Sequence, residues 1–193
     1  MRSLVVVSSG LRVPSSSRLL ADQLVAATVT AFDGPLTPRV VELREHAHDI
    51  TNNLLTGFPS PALREVLDAL AAADGVIAVT PVFNASYSGL FKSFFDAVDE
   101  ESLVDKPVLL GATGGTPRHS LALEHALRPL FAYLRALVVP TAVYASTEDF
   151  ADGSLHPRIE RAGRELATQL ARYTPPAPTD PFALTTTFED LLT

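Results

Sequence analysis

Cysteine is absent from this chain of 193 residues, so disulfides, thiolate metal ligands and thiol nucleophiles are all excluded. A reducing compartment agrees with that absence. Long apolar runs are missing as well. The opening "MRSLVVVSSG" reaches polar residues after four apolar ones, too few for the apolar region of a signal peptide, and no later run nears the length that crosses a bilayer. A soluble cytoplasmic protein with no membrane partner is expected. Positive charge is scarce too: fifteen Lys and Arg against twenty-two Asp and Glu leave a net charge of -7, and the basic residues form no block. That disfavours the broad phosphate-backbone footprint of a nucleic-acid binder.

Apolar residues make up 47% of the chain, enough for one substantial core. β-branched runs recur at "SLVVVS", "RVVEL", "GVIAVT", "KPVLLGA" and "LVVPTAVYA", and the segments between them carry apolar residues at helical spacing. Leu20, Leu24 and Ala27 form one such stripe, Leu63, Val66, Leu67 and Leu70 another, and Leu123, Leu127, Leu130, Phe131 and Leu134 a third. A last helix is predicted from Pro157, with Ile159, Ala162, Leu166 and Leu170 on its apolar face. Five near-continuous apolar strands alternating with five helices predict an α/β fold, a parallel sheet covered on both faces. Of the doubly wound orders, five strands without a second half favour the flavodoxin-like 2-1-3-4-5 over the dinucleotide-binding type. The prolines of "YTPPAPTDPF" end the last helix, dividing a domain over residues 1–173 from a Pro-rich tail over 174–193. Within the tail, "TTFEDLL" is either a segment that docks on a partner subunit or an unstructured terminus.

In a sheet of this order, ligands bind outside the carboxyl ends of the strands, where the strand order reverses. Three unusual loops meet there: "SSGLRVPSSS", "TPVFNASYSG" and "ATGGTPRHS". The first sets Ser8, Ser9, Arg12, Ser15, Ser16 and Ser17 before an amphipathic helix. Hydroxyls, free N–H groups and one guanidinium suit a phosphate monoester, although a serine cluster at this position also serves as a plain helix cap. The loop lacks the "GxxxxGK[ST]" that wraps a triphosphate, and Gly10 alone cannot make a dinucleotide turn. Glu42 and Glu45, ending the second strand, are read as solvated. Gly114 and Gly115 allow close backbone approach to a flat ligand. Phe83 offers a ring face and Asn84 a polar edge. Together they suggest a planar, polar-edged aromatic with a phosphate tail, the shape of flavin mononucleotide (FMN).

At these loops the chain resembles the NAD(P)H-dependent FMN reductases of the flavodoxin-like superfamily, and within them the branch serving alkanesulfonate monooxygenases. "TPVFNASYSGLFKSFFD" is similar to their signature loop and "ATGGTPRHSLALEHALRPLFAYLRA" to a second long motif; the likeness covers about residues 3 to 172. It implies that Ser9, Arg12, Ser15 and Ser17 hold the FMN phosphate. Pro81, Val82, Phe83 and Asn84 would border the isoalloxazine, with Ser86 and Tyr87 nearby, and Thr113, Gly114 and Gly115 would face its pyrimidine side. Val82 replaces the wider family's glutamate and Phe83 its tyrosine. The resemblance further implies homodimers or homotetramers with the flavin near a subunit boundary, NADPH or NADH as transient hydride donor, and a monooxygenase partner for the reduced flavin.

Hydride passes directly from nicotinamide to flavin in such chemistry, so no catalytic side chain and no metal is expected. The three loops hold no acidic pair, and their one histidine, His119, either approaches the flavin edge or is structural. Two other readings of the function stay open: a quinone or azo reductase that keeps FMN bound, and a one-electron carrier of the flavodoxin type. A non-catalytic assembly module with the same fold is a third. Pro129 removes the N–H that would bond the carbonyl of His125, so a kink or π-bulge is expected in "EHALRPLFAYL". The branch also has a π-turn there, near a tyrosine where this chain has His125, which is otherwise a partly exposed helix residue. Phe91, Phe94 and Phe95 serve either the core or a subunit interface.

Overall fold

A computed structural model describes residues 1–175. The expected tail over 174–193 therefore lies almost wholly outside the described residues, as does "TTFEDLL". Parallel strands β1 (Arg2–Ser8), β2 (Leu36–Glu42), β3 (Gly75–Phe83) and β5 (Pro107–Gly114) form the body of the sheet. Two short strands, β6 (Leu137–Val138) and β7 (Val143–Ser146), both pair with β5, and β4 (Ser86–Tyr87) folds back antiparallel on β3. The sheet order β2-β1-β3-β5-β6 preserves the reversal after β1 and with it the flavodoxin-like α/β architecture.

The strand count corrects the sequence expectation: there are seven strands among the described residues, not five. The run "LVVPTAVYA" splits because Pro140 has no N–H to give a ladder. Leu137 pairs with Pro107 and Val143 with Gly111, so β6 and β7 line the same edge of β5 one after the other. The other added strand comes from a tight hairpin in which Asn84 (φ 49°) and Ala85 (φ 67°) take left-handed backbone, as a two-residue turn of this hand requires.

Alternate strand residues feed two cores. Leu4, Val6, Ile77, Val79 and Leu109 meet α1 (Ser16–Ala31) and α7 (His156–Arg172) on one face. These two helices cross at Gly163, where any Cβ would lie 2.8 Å from the Ala27 backbone. Val5, Val7, Ala78 and Leu110 meet α3 (Pro61–Ala72) and α4 (Gly89–Asp96) on the other. The aromatic side chains of α4 settle their competing readings in favour of the core: Phe91 and Phe94 are 0% exposed and Phe95 2%. Phe91 packs on Phe95 at 4.7 Å between centroids, and Phe95 on Phe131 at 4.9 Å.

The expected helical defect is present. A π-helical turn, Leu123–Leu127, runs into α5 (Arg128–Tyr133), in which Pro129 is the second residue. His125 in that turn is exposed. The remaining α-helices among the described residues are α2 (Ala47–Thr56) and the single turn α6 (Asp149–Asp152). No helix among the described residues is long and apolar enough to cross a membrane. At the amino ends of the strands, Asp74 accepts from Arg2 at 2.6 Å and from the Ser3 N–H at 2.7 Å. Burial pushes the Asp74 carboxyl up, but these partners outweigh it and hold it below the ordinary carboxylate range.

Candidate binding crevice at the carboxyl ends of the strands

The three loops singled out in the sequence converge. They line one cavity of about 430 Å³ at the carboxyl ends of β1, β3 and β5, within the size range of small-molecule sites. From the first loop come Arg12, Ser15, Ser16 and Ser17, with Gly10, Leu11 and Pro14; from the second, Pro81, Val82 and Phe83; from the third, Thr113, Gly114 and Gly115. A larger hollow of about 670 Å³ lies between α1 and α7, walled by Ala26, Ala27, Ala31, Leu155 and Ile159 together with polar and charged side chains such as Gln23, His156, Glu160 and Arg164. It lies along the flanks of these helices, whereas the smaller cavity sits where helix and strand ends present their backbone groups.

The first loop is built around a helix start. Ser15 caps α1, its Oγ accepting the Arg18 N–H at 3.2 Å, and the Leu19 N–H goes to the Ser15 carbonyl at 3.0 Å. The N–H groups of Ser16 and Ser17 precede these and have no acceptor among the described residues. Gly10 lets the loop close, since a Cβ there would sit 1.8 Å from Ser15 Oγ. Arg12 is exposed and makes no ion pair among the described residues. Among the described residues it is also the single charged side chain on the cavity wall, and none of them sets a carboxylate there. The crevice is thus a positive, donor-rich pole at the helix N-terminus.

The opposite wall is apolar. Pro81, Val82 and Phe83 form the carboxyl end of β3, where Pro81 pairs with Thr113 and the other two with β4, and Phe83 is 46% exposed, its ring free for contact. Thr147, in the loop after β7, and Phe150, in α6 just beyond it, close the crevice. Sequence reading missed this fourth loop, although its place after a strand's carboxyl end was the available signal. It is pinned by Asp149, which accepts from the N–H and hydroxyl of Ser146 at 2.7 and 2.8 Å; these bonds lower its pKa against the opposing effect of burial.

Nine of the thirteen residues singled out in the sequence line the cavity, and four do not. Ser9 is fully buried, donating to the Val79 carbonyl at 3.4 Å and accepting from Ser88 Oγ at 3.2 Å. Asn84 sits at the tip of the β3–β4 hairpin, exposed. Ser86 and Tyr87 form β4, with the Tyr87 ring 6.0 Å from Phe91 on the core side. Among the nine, Ser17 and Thr113 spend their hydroxyls on each other at 2.8 Å. His119 does not line the cavity. Glu42 corrects the sequence reading of a solvated carboxylate, since Arg18 and Arg44 clamp it at 2.7 and 2.8 Å, while Glu45 beside it is exposed.

Comparison with known proteins agrees with this geometry. A family model described as NADPH-dependent FMN reductase matches residues 1–151. The FMN reductase (NADPH) of Pseudomonas aeruginosa is 42% identical over 146 residues, 76% of this chain and 77% of that protein. The NADH-dependent FMN reductase SfnE of Pseudomonas putida is 37% identical over 169 residues, 88% of this chain and 90% of the relative. Among solved structures, an oxidoreductase from Corynebacterium diphtheriae superposes with a TM-score of 0.88 at 43% identity, covering 90% of this chain and 99% of that one.

Proposed function

The chain belongs to the NADPH-dependent FMN reductase family, an oxidoreductase family that reduces FMN with NAD(P)H, and on that premise we propose that the crevice at the carboxyl ends of β1, β3 and β5 is its flavin site. One observation carries this assignment: Arg12, the one cavity-lining charge among the described residues, shares the cavity with two helix N–H groups that have no acceptor among them, with an aromatic and aliphatic wall on the other side. A dianionic phosphate on a planar ring meets both requirements at once.

In this reading Arg12, the hydroxyls of Ser15 and Ser16 and the N–H groups of Ser16 and Ser17 hold the phosphate. Pro81, Val82 and Phe83 flank the ring, and the turn at Thr113–Gly115 faces its polar edge. Bound there, FMN supplies the hydride acceptor for the nicotinamide. Among the described residues no Asp, Glu, His, Lys or Tyr lines the cavity, and in this reading the residues that do line it bind, orient and exclude water rather than move protons. Leu11 (52% exposed), Val13 (73%) and Phe83 are exposed apolar side chains of the first and second loops, and Leu11 and Phe83 also line the cavity. Their exposure supports a homodimer or homotetramer with the crevice near a subunit boundary. We further assign the enzyme to the cytoplasm and its reduced flavin to a monooxygenase partner, on the two long motifs shared with the sulfonate branch.

The test is to add FMN to purified protein and follow NADH and NADPH absorbance separately. Saturable consumption of added FMN is expected. Turnover of a quinone or azo acceptor by tightly held FMN, indifferent to free flavin, would replace this reading with the bound-cofactor reductase.

A further inference from the structure

Gly114 was expected to be glycine so that a flat ligand could approach its backbone. The structure gives a different reason. A Cβ at Gly114 would lie 2.1 Å from the Tyr144 hydroxyl oxygen and 3.2 Å from its Cζ, whereas a Cβ at Gly115 would meet nothing within 4 Å. Gly114 thus faces inward to Tyr144, and Gly115 has open space. The Tyr144 hydroxyl passes Gly114 and donates to the Thr116 carbonyl at 2.6 Å. No other hydrogen bond among the described residues takes that carbonyl, and the N–H groups of Gly115 and Thr116 have no protein acceptor among them.

We propose that Tyr144 is a positioning residue for flavin binding: by tethering the Thr116 carbonyl from beneath, it sets the turn 114–116 so that its free N–H groups serve the ligand. The inference rests on the flavin-site reading of the crevice. Tyr144 itself is 4% exposed in the core beneath the turn and does not line the cavity. Its own strand is held in turn, since Arg158 donates to the Tyr144 carbonyl at 2.9 Å. Burial, with the charge of Asp149 adding to it, raises the phenol's pKa and keeps the hydroxyl a donor. A side chain that never touches the ligand thereby fixes the turn's shape before binding, the general route by which preorganisation improves affinity.

The test compares FMN titrations, KM for FMN, kcat and thermal unfolding in wild type, Tyr144→Phe, Gly114→Ala, the double variant and Arg12→Ala. Tyr144→Phe is expected to raise Kd and KM for FMN about tenfold, the scale of one lost ordered hydrogen bond, while kcat at saturating FMN moves far less. Gly114→Ala alone is expected to lower the melting temperature, and Tyr144→Phe to rescue part of that loss by vacating the colliding oxygen. An FMN affinity in Tyr144→Phe within about twofold of wild type, with Arg12→Ala weakened, would overturn the role of Tyr144 and leave the flavin site standing. Unchanged affinity in both would overturn the flavin site and this inference with it.

Discussion

The hydroxyls of Ser17 and Thr113 lie 2.8 Å apart in the protein interior and join the first turn of α1 to the carboxyl end of β5 across 96 positions of sequence. Each is the other's only hydroxyl partner among the described residues. Ser17→Ala therefore leaves Thr113 Oγ1 buried and unpaired, and a loss of about 1–3 kcal/mol of stability is expected. Replacing both, with Thr113→Val, should cost less than the sum of the two single changes. Urea denaturation of the four proteins measures this, and strict additivity would show that the pair is not coupled.

Arg12 carries the charge of the crevice. Arg12→Ala should weaken FMN binding by about 1.5–3 kcal/mol, the range for a charge-assisted hydrogen bond. Riboflavin, which has no phosphate, should lose almost nothing in the same variant. Fluorescence titration of both flavins makes the comparison; an equal loss for the two would place the phosphate elsewhere.

Lys106 is 2% exposed and donates to the carbonyls of Leu70 and Ala71 at the end of α3, each at 2.7 Å. Burial lowers its pKa from 10.5 to about 8, with the charge of Asp74 opposing. With a folded value below the unfolded one, the unfolded chain binds more protons across that interval, so the Lys106 contribution makes stability rise as pH rises from about 8 towards 10.5. Guanidinium denaturation across this window should show that contribution as a slope of up to about 1.4 kcal/mol per pH unit that Lys106→Met lacks. Equal slopes in both proteins would mean that the buried ammonium is not depressed.

Gly163→Ala tests the crossing of α1 and α7. The new Cβ would lie 2.8 Å from the Ala27 carbonyl carbon and 2.9 Å from the Thr28 nitrogen, backbone atoms that no rotamer change can move. About 1–3 kcal/mol of destabilisation is expected, visible as a fall of several degrees in Tm. An unchanged Tm would show that the helices separate freely.

The crevice itself was legible because its signals are local. A serine before an apolar stripe announces a cap, an apolar run followed by Pro-Val-Phe announces a strand end, and the reversal point follows from strand order. Ser9 shows the limit. It reads as one more hydroxyl of the phosphate loop, yet it belongs to a buried relay with Ser88, which itself takes its N–H to Thr80 Oγ1 at 3.0 Å. One residue's difference along an extended backbone turns a side chain from the ligand to the core. Tyr144 was hidden for a related reason, since its place in the apolar run "LVVPTAVYA" marks it as core and nothing nearby announces the turn it reaches.

The sequence by itself determined the alternation of strands and helices, the two-faced burial of the sheet, the loops that meet at the strand ends and the exclusion of thiol chemistry. These follow from periodicity, capping and composition, which act between neighbours in the chain. Only the tertiary structure decided that the last strand breaks at Pro140, that Ser17 turns to Thr113, and that Gly114 makes room for Tyr144 rather than for a ligand. Those outcomes depend on how distant segments dock, and a contact across a hundred residues is set by the packing of the whole sheet, which no local spacing encodes.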